Sequence, residues 1–296
     1  VNDNPVIGSP VPTTGVSPPR GTRWLCRPPR AEDVGMNDHS ANAVGEQEEA
    51  LSGGNMGGAT RVGATVRRGA GAWSPTVQRL LRHLHERGVT WAPQPFGTDE
   101  HGRDSVSYLP GIVPQYPLPD WIWSDGVLTD AGAYLAQLHH ASASFDTVGG
   151  VWQFPVRQPA EVICHNDFAP YNMVFTDRRL TGVIDWDTAS PGPRSWDLAY
   201  LAYRLVPLAH PDNGDAIDSD LGERARRLRV LCDAYGSGQD PVHVLQIAVH
   251  RLHDLAAFTE ARADQGQENI RSHVGLYRRD ARWITAHRDQ LGPAVA

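Results

Sequence analysis

Residues 161–201 read EVICHNDFAPYNMVFTDRRLTGVIDWDTASPGPRSWDLAYL, and the rest of the chain is organised around them. Val162, Ile163 and Cys164 form a short apolar run of strand character that delivers the chain into His165-Asn166-Asp167. Met173, Val174 and Phe175 form a second such run. Thr176-Asp177-Arg178-Arg179 is polar enough to turn, and Leu180 to Ile184 is a third run that ends on Asp185. The pattern predicts a strand, a loop, a hairpin and another loop, with acidic groups at the strand ends.

A loop of the form H-x-D-x-x-x-x-N, followed by a strand that ends in Asp, fits phosphoryl transfer from a nucleotide. That chemistry needs one carboxylate to orient the attacking hydroxyl and accept its proton. It also needs an amide oxygen and a second carboxylate to hold Mg²⁺ against the phosphates. Asp167 suits the first role, and Asn172 and Asp185 the second. A solvated polar hairpin would explain a lone H-x-D. It does not explain the loop spacing, the second aspartate and the flanking apolar runs together.

CHNDFAPYN followed by GVIDWDTASPGPRSWDLAYL resembles the aminoglycoside phosphotransferase family, which includes choline-kinase-like small-molecule kinases of the protein-kinase fold. The resemblance is strong over residues 161–205 and continues more weakly from about Leu51 to the C-terminus. It implies an α+β, two-lobed fold with a small β-rich N-lobe and a larger helical C-lobe. It implies ATP and Mg²⁺ as cofactors and a small-molecule hydroxyl as acceptor. By the same resemblance Asp167 is the catalytic base, and Asn172 and Asp185 are Mg²⁺ ligands. Asp187 is a further acid on the metal side, His165 braces the catalytic loop, and Asp197 hydrogen-bonds the loop backbone from below. The family covers many substrates, so a reaction is implied more firmly than an acceptor.

The 296 residues are enough for two lobes with their own cores. No apolar run approaches the roughly 20 residues of a membrane span, and the N-terminus lacks the basic-then-apolar order of a signal peptide. A cytoplasmic protein is expected. Cys26, Cys164 and Cys232 have no metal-type spacing, and an odd number argues against a disulfide framework. With a net charge of −7 and no dense basic block, nucleic acid is not an expected partner. The chain has no lysine: all 27 of its Lys/Arg positions are arginine. Any role that a kinase gives to lysine must fall to an arginine or be missing.

Residues 1–48 predict a disordered Pro/Gly-rich extension, because such a segment cannot bury enough apolar surface to offset its ordering entropy. Met36 is a candidate start within it. Residues 49–111 predict the nucleotide-binding N-lobe. There Gly53, Gly54, Gly57 and Gly58 are a candidate phosphate flap, since glycines let backbone N–H groups approach phosphate oxygens. Thr65-Val66-Arg67-Arg68 follows as a strand. Neighbours on a strand face opposite sides, and the family pattern puts the cation directly after the apolar Val66, so Arg67 is expected to replace the absent lysine. Ser74 to Gly88 predicts a helix with Ser74 as N-cap, Pro75 at N1 and a stripe of Val77, Leu80, Leu81 and Leu84. Kinases place a glutamate on this helix to pair with the strand cation, and here Gln78 stands at about that position. Phe96 to Leu109 predicts a hairpin, and Tyr108-Leu109 the hinge that holds adenine in the resembled family.

Residues 112–296 predict the catalytic and substrate-binding C-lobe. Leu128, Ala131, Leu135 and Leu138 repeat at helical spacing, with His139-His140 near the end as capping or surface residues. Four more helical stripes follow, beginning at Trp196, Leu228, Val242 and Ile270. Asp254, Glu260, Asp264 and Glu268 are candidate groups for a cationic acceptor. The competing readings are a kinase of an amino alcohol or sugar-like metabolite, a nucleotide-binding pseudokinase, and a metal hydrolase. The last lacks a second spaced histidine pair.

Overall fold

A computed structural model describes residues 48–51, 58–215, 217 and 219–292, all within one compact unit, Glu46–Ala296. The proposed extension apart from Glu48, which begins the first strand, lies outside the described residues, as do Met36, Gly53, Gly54 and Gly57. The fold is the expected two-lobed α+β arrangement. A five-stranded antiparallel sheet comes first, with β1 (Glu48–Leu51), β2 (Ala59–Val62), β3 (Thr65–Gly69), β4 (Pro95–Thr98) and β5 (Arg103–Ser107) in the order β1-β2-β3-β5-β4. Helix α1 (Ser74–Glu86) lies between β3 and β4 in the chain. Its stripe of Val77, Leu80, Leu81 and Leu84 is fully buried. Trp73, not Ser74, is the residue before the helix, and the Ser74 hydroxyl instead accepts the Gly71 N–H at 3.0 Å. A turn from Gly71 to Ser74 uses the hydroxyl before the helix can.

Helix α2 (Asp125–Ser142) begins the helical part, with the Ser124 hydroxyl accepting the Val127 N–H. Leu128, Ala131, Leu135 and Leu138 are all fully buried. The organising stretch then supplies β6 (Val162–Cys164), β7 (Met173–Thr176), β8 (Arg179–Val183) and β9 (Ser190–Gly192). Strands β7 and β8 pair through a two-residue turn at Asp177 and Arg178, whose φ of 49° and 63° are both left-handed. This is the turn whose twist matches a hairpin. Strand β6 pairs with β9, joining Cys164 to Ser190. Gly182 on β8 allows a close approach, because a Cβ there would lie 2.6 Å from Leu109 Cδ1.

Helices α3 (Arg194–Leu205), α4 (Leu221–Tyr235), α5 (Pro241–Asp264) and α6 (Arg271–Leu291) complete the chain. One buried apolar cluster runs from α1 through α2 and the hairpin into α3, α4 and α5. Such continuity is what fixes the polar loops at the strand ends.

Candidate active site

Strand β6 is buried on all three residues, so it sets the height at which His165-Asn166-Asp167 leaves the core. Asp197, in the first turn of α3, lies beneath that loop and is fully buried. Its two oxygens accept the backbone N–H of His165 at 2.6 Å and of Asn166 at 2.8 Å. His139 approaches the same carboxylate at 3.3 Å, with its other ring nitrogen 2.8 Å from the Tyr235 hydroxyl. His139 is therefore a buried support of the loop rather than a capping or surface residue. Burial acts to raise the Asp197 pKa, but hydrogen bonding to His139 and the charges of His139, His165 and Arg251 outweigh it and lower the value.

The Asp167 N–H reaches the His165 ring at Nδ1 at 3.3 Å, and Nε2 of the same ring lies 3.1 Å from the Ile184 carbonyl. His165 thus ties the loop to the strand end that carries Asp185. Asn166 has a left-handed φ of 65°, a conformation that asparagine tolerates better than most residues. Its amide donates to the Thr188 carbonyl and the Ser190 hydroxyl, both at 2.8 Å. Arg251, from α5, donates to the Asn166 carbonyl and stands near its side-chain oxygen at 3.4 Å.

Asp167 is held on both oxygens. The Tyr171 hydroxyl donates to Oδ1 at 2.5 Å, and Asn172 Nδ2 donates to Oδ2 at 2.9 Å. Asn172 also reaches the Asp167 carbonyl at 2.9 Å, which closes the loop on itself. Burial first, and then the neighbouring Asp167 charge, pushes the Tyr171 phenol well above its usual value, so it stays a donor. Its oxygen lies 2.8 Å from that of Tyr200, and Arg204 Nε donates to Tyr200 at 3.3 Å.

Asp185 sits after β8 with a left-handed φ of 64°. Arg68 joins it to Asp187: Nη1 is 3.4 Å from Asp185 and Nη2 is 2.7 Å from Asp187. A third carboxylate, Asp104, lies 3.4 Å from the same guanidinium. Three carboxylates against one arginine leave two negative charges, which one divalent cation balances. The carboxylate and amide oxygens of Asp185, Asp187 and Asn172 are hard donors of the kind Mg²⁺ takes. The residues present therefore fit that ion. Burial raises the Asp187 pKa, with Arg68 working against it.

The expectation for Arg67 is corrected here. Arg67 Nε lies 3.9 Å from Asp99 in the hairpin turn, and it is Arg68 that reaches the aspartates of the organising stretch. The two face opposite sides of β3, and the register that sets Arg68 against Asp104 on β5 decides which one points inward. Of the four candidate flap glycines, Gly58 alone is among the described residues, and it is exposed. The Tyr108 N–H donates to the Ala64 carbonyl at 2.8 Å and its ring lies under the Arg61 guanidinium at 4.0 Å. Leu109 packs toward Gly182. Tyr171, Arg251 and Asp104 were not picked out by sequence reasoning, and Arg68 stood there only as the alternative to Arg67; an acid on the same strand face as the apolar Val106 was the available signal for Asp104.

Among the described residues, His139, Cys164 and Asp197 bring three potential metal-binding atoms within 4.8 Å of one another. Burial raises the Cys164 thiol well above its usual value, and the Asp197 oxygens already serve the loop N–H groups. The trio is a structural support. No helix among the described residues is long and apolar enough to cross a membrane.

Comparison with known proteins bears on the fold and the family. A curated relative, the trifolitoxin immunity protein of Rhizobium leguminosarum bv. trifolii, is 31% identical over 262 residues, 84% of this chain and 99% of its own length. Among solved structures, amicoumacin kinase in complex with AMP-PNP, Ca²⁺ and its ligand superposes with a TM-score of 0.60 at 11% identity, covering 85% of this chain and 91% of the other. The macrolide 2′-phosphotransferase of Brachybacterium faecium gives 0.56 at 17% identity, covering 85% and 94%. Residues 151–238, which contain the whole organising stretch, match the model of the phosphotransferase enzyme family, and with the relative above they show that the chain belongs to that family.

Proposed function

We propose that this protein transfers the γ-phosphate of ATP to a hydroxyl group of a small molecule. The observation that carries the reading is the joint placement of Asp167 and Asn172, bonded to each other at 2.9 Å, on a loop tied by His165 to the strand end that presents Asp185. In this reading the acceptor hydroxyl gives its proton to Asp167. A new O–P bond forms as the bond between the γ-phosphorus and the β,γ-bridging oxygen breaks, and ADP leaves. Asn172 and Asp185, with Asp187 beside them, would hold Mg²⁺, which neutralises phosphate charge when bound. Arg68 faces the phosphates in place of a lysine. Tyr108 and Leu109 line the adenine side. An ATP-dependent activity of this kind fits a cytoplasmic protein.

The curated relative is named as an immunity protein against a toxin, and this favours a toxic compound as the acceptor. An amino alcohol or a sugar-like metabolite is the alternative. The test is ADP release and phosphate incorporation over a panel of macrolides, aminoglycosides, amino alcohols and sugars, with Asp167→Asn as control. Loss of a general base costs about 10²–10⁴-fold in rate. Wild-type protein that binds ATP but turns over no compound faster than Asp167→Asn is a nucleotide-binding pseudokinase instead.

A further inference from the structure

Arg68 is held unevenly. Its inner side meets Asp104, which is 1% exposed and stands opposite it in register on β5. Arg68 Nε and Nη2 both lie 3.4 Å from Asp104 Oδ2. The other oxygen of that carboxylate accepts Gln78 Nε2 at 2.5 Å. Gln78 is itself fixed on α1, because its Oε1 accepts the Gly97 N–H at 2.9 Å and its Nε2 also reaches the Ser105 carbonyl at 3.1 Å. The outer side of Arg68 meets Asp185 and Asp187, whose side chains are 42% and 22% exposed. One edge of the guanidinium thus rests on a dry, fully bonded carboxylate and the other on wetter ones.

These surroundings have different strengths. A buried charge pair is screened far less than an exposed one. The outer carboxylates are also the groups with the donor chemistry for a divalent cation, so a metal–nucleotide complex competes for them. A guanidinium held only by Asp185 and Asp187 would be released when they turned to the metal. A guanidinium also held by Asp104 stays in place and presents its outer N–H groups to phosphate oxygens. The planar fork of arginine can serve both edges at once, which a lysine ammonium does less well.

We propose that Asp104 is the positioning residue for the phosphate-binding cation. It anchors the inner edge of Arg68 while the outer edge exchanges Asp185 and Asp187 for nucleotide phosphates. The counter-charge that kinases place on the helix behind the site has moved here to the neighbouring strand, and α1 supplies only Gln78, a neutral amide that orients it. This rests on the phosphotransferase reading above.

The experiment is a double-mutant cycle on the full chain, read as the affinity for Mg²⁺·AMP-PNP by calorimetry. Asp104→Asn is expected to weaken binding about tenfold, and Arg68→Ala at least as much. The double variant is expected to bind no more than about twofold worse than Arg68→Ala alone, because Asp104 acts through Arg68. A merely structural Asp104 would cost the same in both backgrounds, and that result overturns the proposal. So does unchanged affinity in Asp104→Asn. If Asp104→Asn does not fold, Gln78→Met replaces it: it keeps the charge, frees one carboxylate oxygen, and is expected to weaken binding about threefold only when Arg68 is present. Unchanged affinity in that variant also overturns the proposal. Wild-type protein that binds no nucleotide overturns the phosphotransferase reading and this inference with it, whereas normal wild-type binding with indifferent variants overturns this inference alone.

Discussion

The Tyr171 hydroxyl lies 2.5 Å from Asp167 Oδ1, closer than any other side-chain donor to that carboxylate. It occupies one of the positions from which a hydroxyl can approach the proposed base. Tyr171 is linked onward to Tyr200 and Arg204, so it is fixed at its far side as well. Four tyrosine rings, of Tyr116, Tyr171, Tyr200 and Tyr203, have centres 5.2 to 5.8 Å from the Arg204 guanidinium carbon. The Tyr171 side of Asp167 is therefore aromatic and carries a cation.

Tyr171→Phe removes one of the two side-chain hydrogen bonds that orient Asp167 and leaves the ring in place. A hydrogen bond to a charged group contributes about 1.5–3 kcal/mol. We expect kcat to fall about tenfold with nucleotide affinity unchanged, measured by steady-state ADP release beside calorimetry. Unchanged kcat would show that Asn172 alone orients the carboxylate.

Asp197 contributes to the acid limit of the fold. Its folded pKa is lowered below the ordinary 3.8, despite burial, by His139, His165 and Arg251. A carboxylate lowered on folding stabilises the fold above its unfolded value, and that contribution disappears as pH falls through the lowered folded value. Wild-type stability should therefore drop in the window below 3.8. Asp197→Asn leaves the loop N–H groups poorly paired and is expected to cost about 3 kcal/mol at neutral pH. Its stability should also be less steep in acid. Urea titrations from pH 7 to pH 3 measure both.

Much of this was legible in the sequence because the chemistry sits in one continuous stretch. His165, Asp167, Asn172, Asp185 and Asp197 are brought around one loop by strands whose apolar runs are plain to read. What was not legible depends on partners distant in sequence. Whether Arg67 or Arg68 faces inward is set by the register of β3 on β5, which alternation alone leaves two-fold ambiguous. Strand β9 contains Pro191 and Gly192, residues that argue against a strand, yet it pairs with β6 and carries the Ser190 that holds Asn166. His139 looked like one of two helix-end histidines, but a helix turn places it under Asp197.

The acidic residues considered for a cationic acceptor are already paired. Asp254 lies 2.9 Å from Arg157, Glu260 2.7 Å from Arg278, and Asp264 and Glu268 2.9 and 2.6 Å from Arg271. Glu260 and Asp264 are four residues apart on α5 and share a face, whereas Glu268 lies in a separate turn beyond the end of that helix. Exposed pairs of this kind contribute about 0–1 kcal/mol each. Asp264→Ala is expected to change the KM of a cationic acceptor less than about twofold. A large rise would return this face to the acceptor site.

Arg251 is the least obvious support of the loop. It is 3% exposed, and its guanidinium carbon lies 4.8 Å from the Trp196 ring centre and 4.6 Å from that of Tyr200. No carboxylate forms an ion pair with it among the described residues; the aromatic faces and the Asn166 carbonyl receive its charge instead. Burial pulls its pKa below the usual value, but an arginine remains charged even so. The contact matters because Asn166 is the left-handed residue immediately before Asp167. Arg251 is the donor that holds its carbonyl, beside the Asp197, Thr188 and Ser190 contacts of the same residue. Arg251→Met keeps most of the aliphatic volume and removes the donor. We expect kcat to fall about tenfold, as for loss of a charged hydrogen bond, with nucleotide affinity retained and stability lowered by about 1–3 kcal/mol. Arg251→Lys keeps the charge but not the planar fork, so it should recover stability more than turnover. If both variants lose stability and turnover in proportion, Arg251 supports the core generally; a selective loss of kcat places its effect on the loop that carries Asp167.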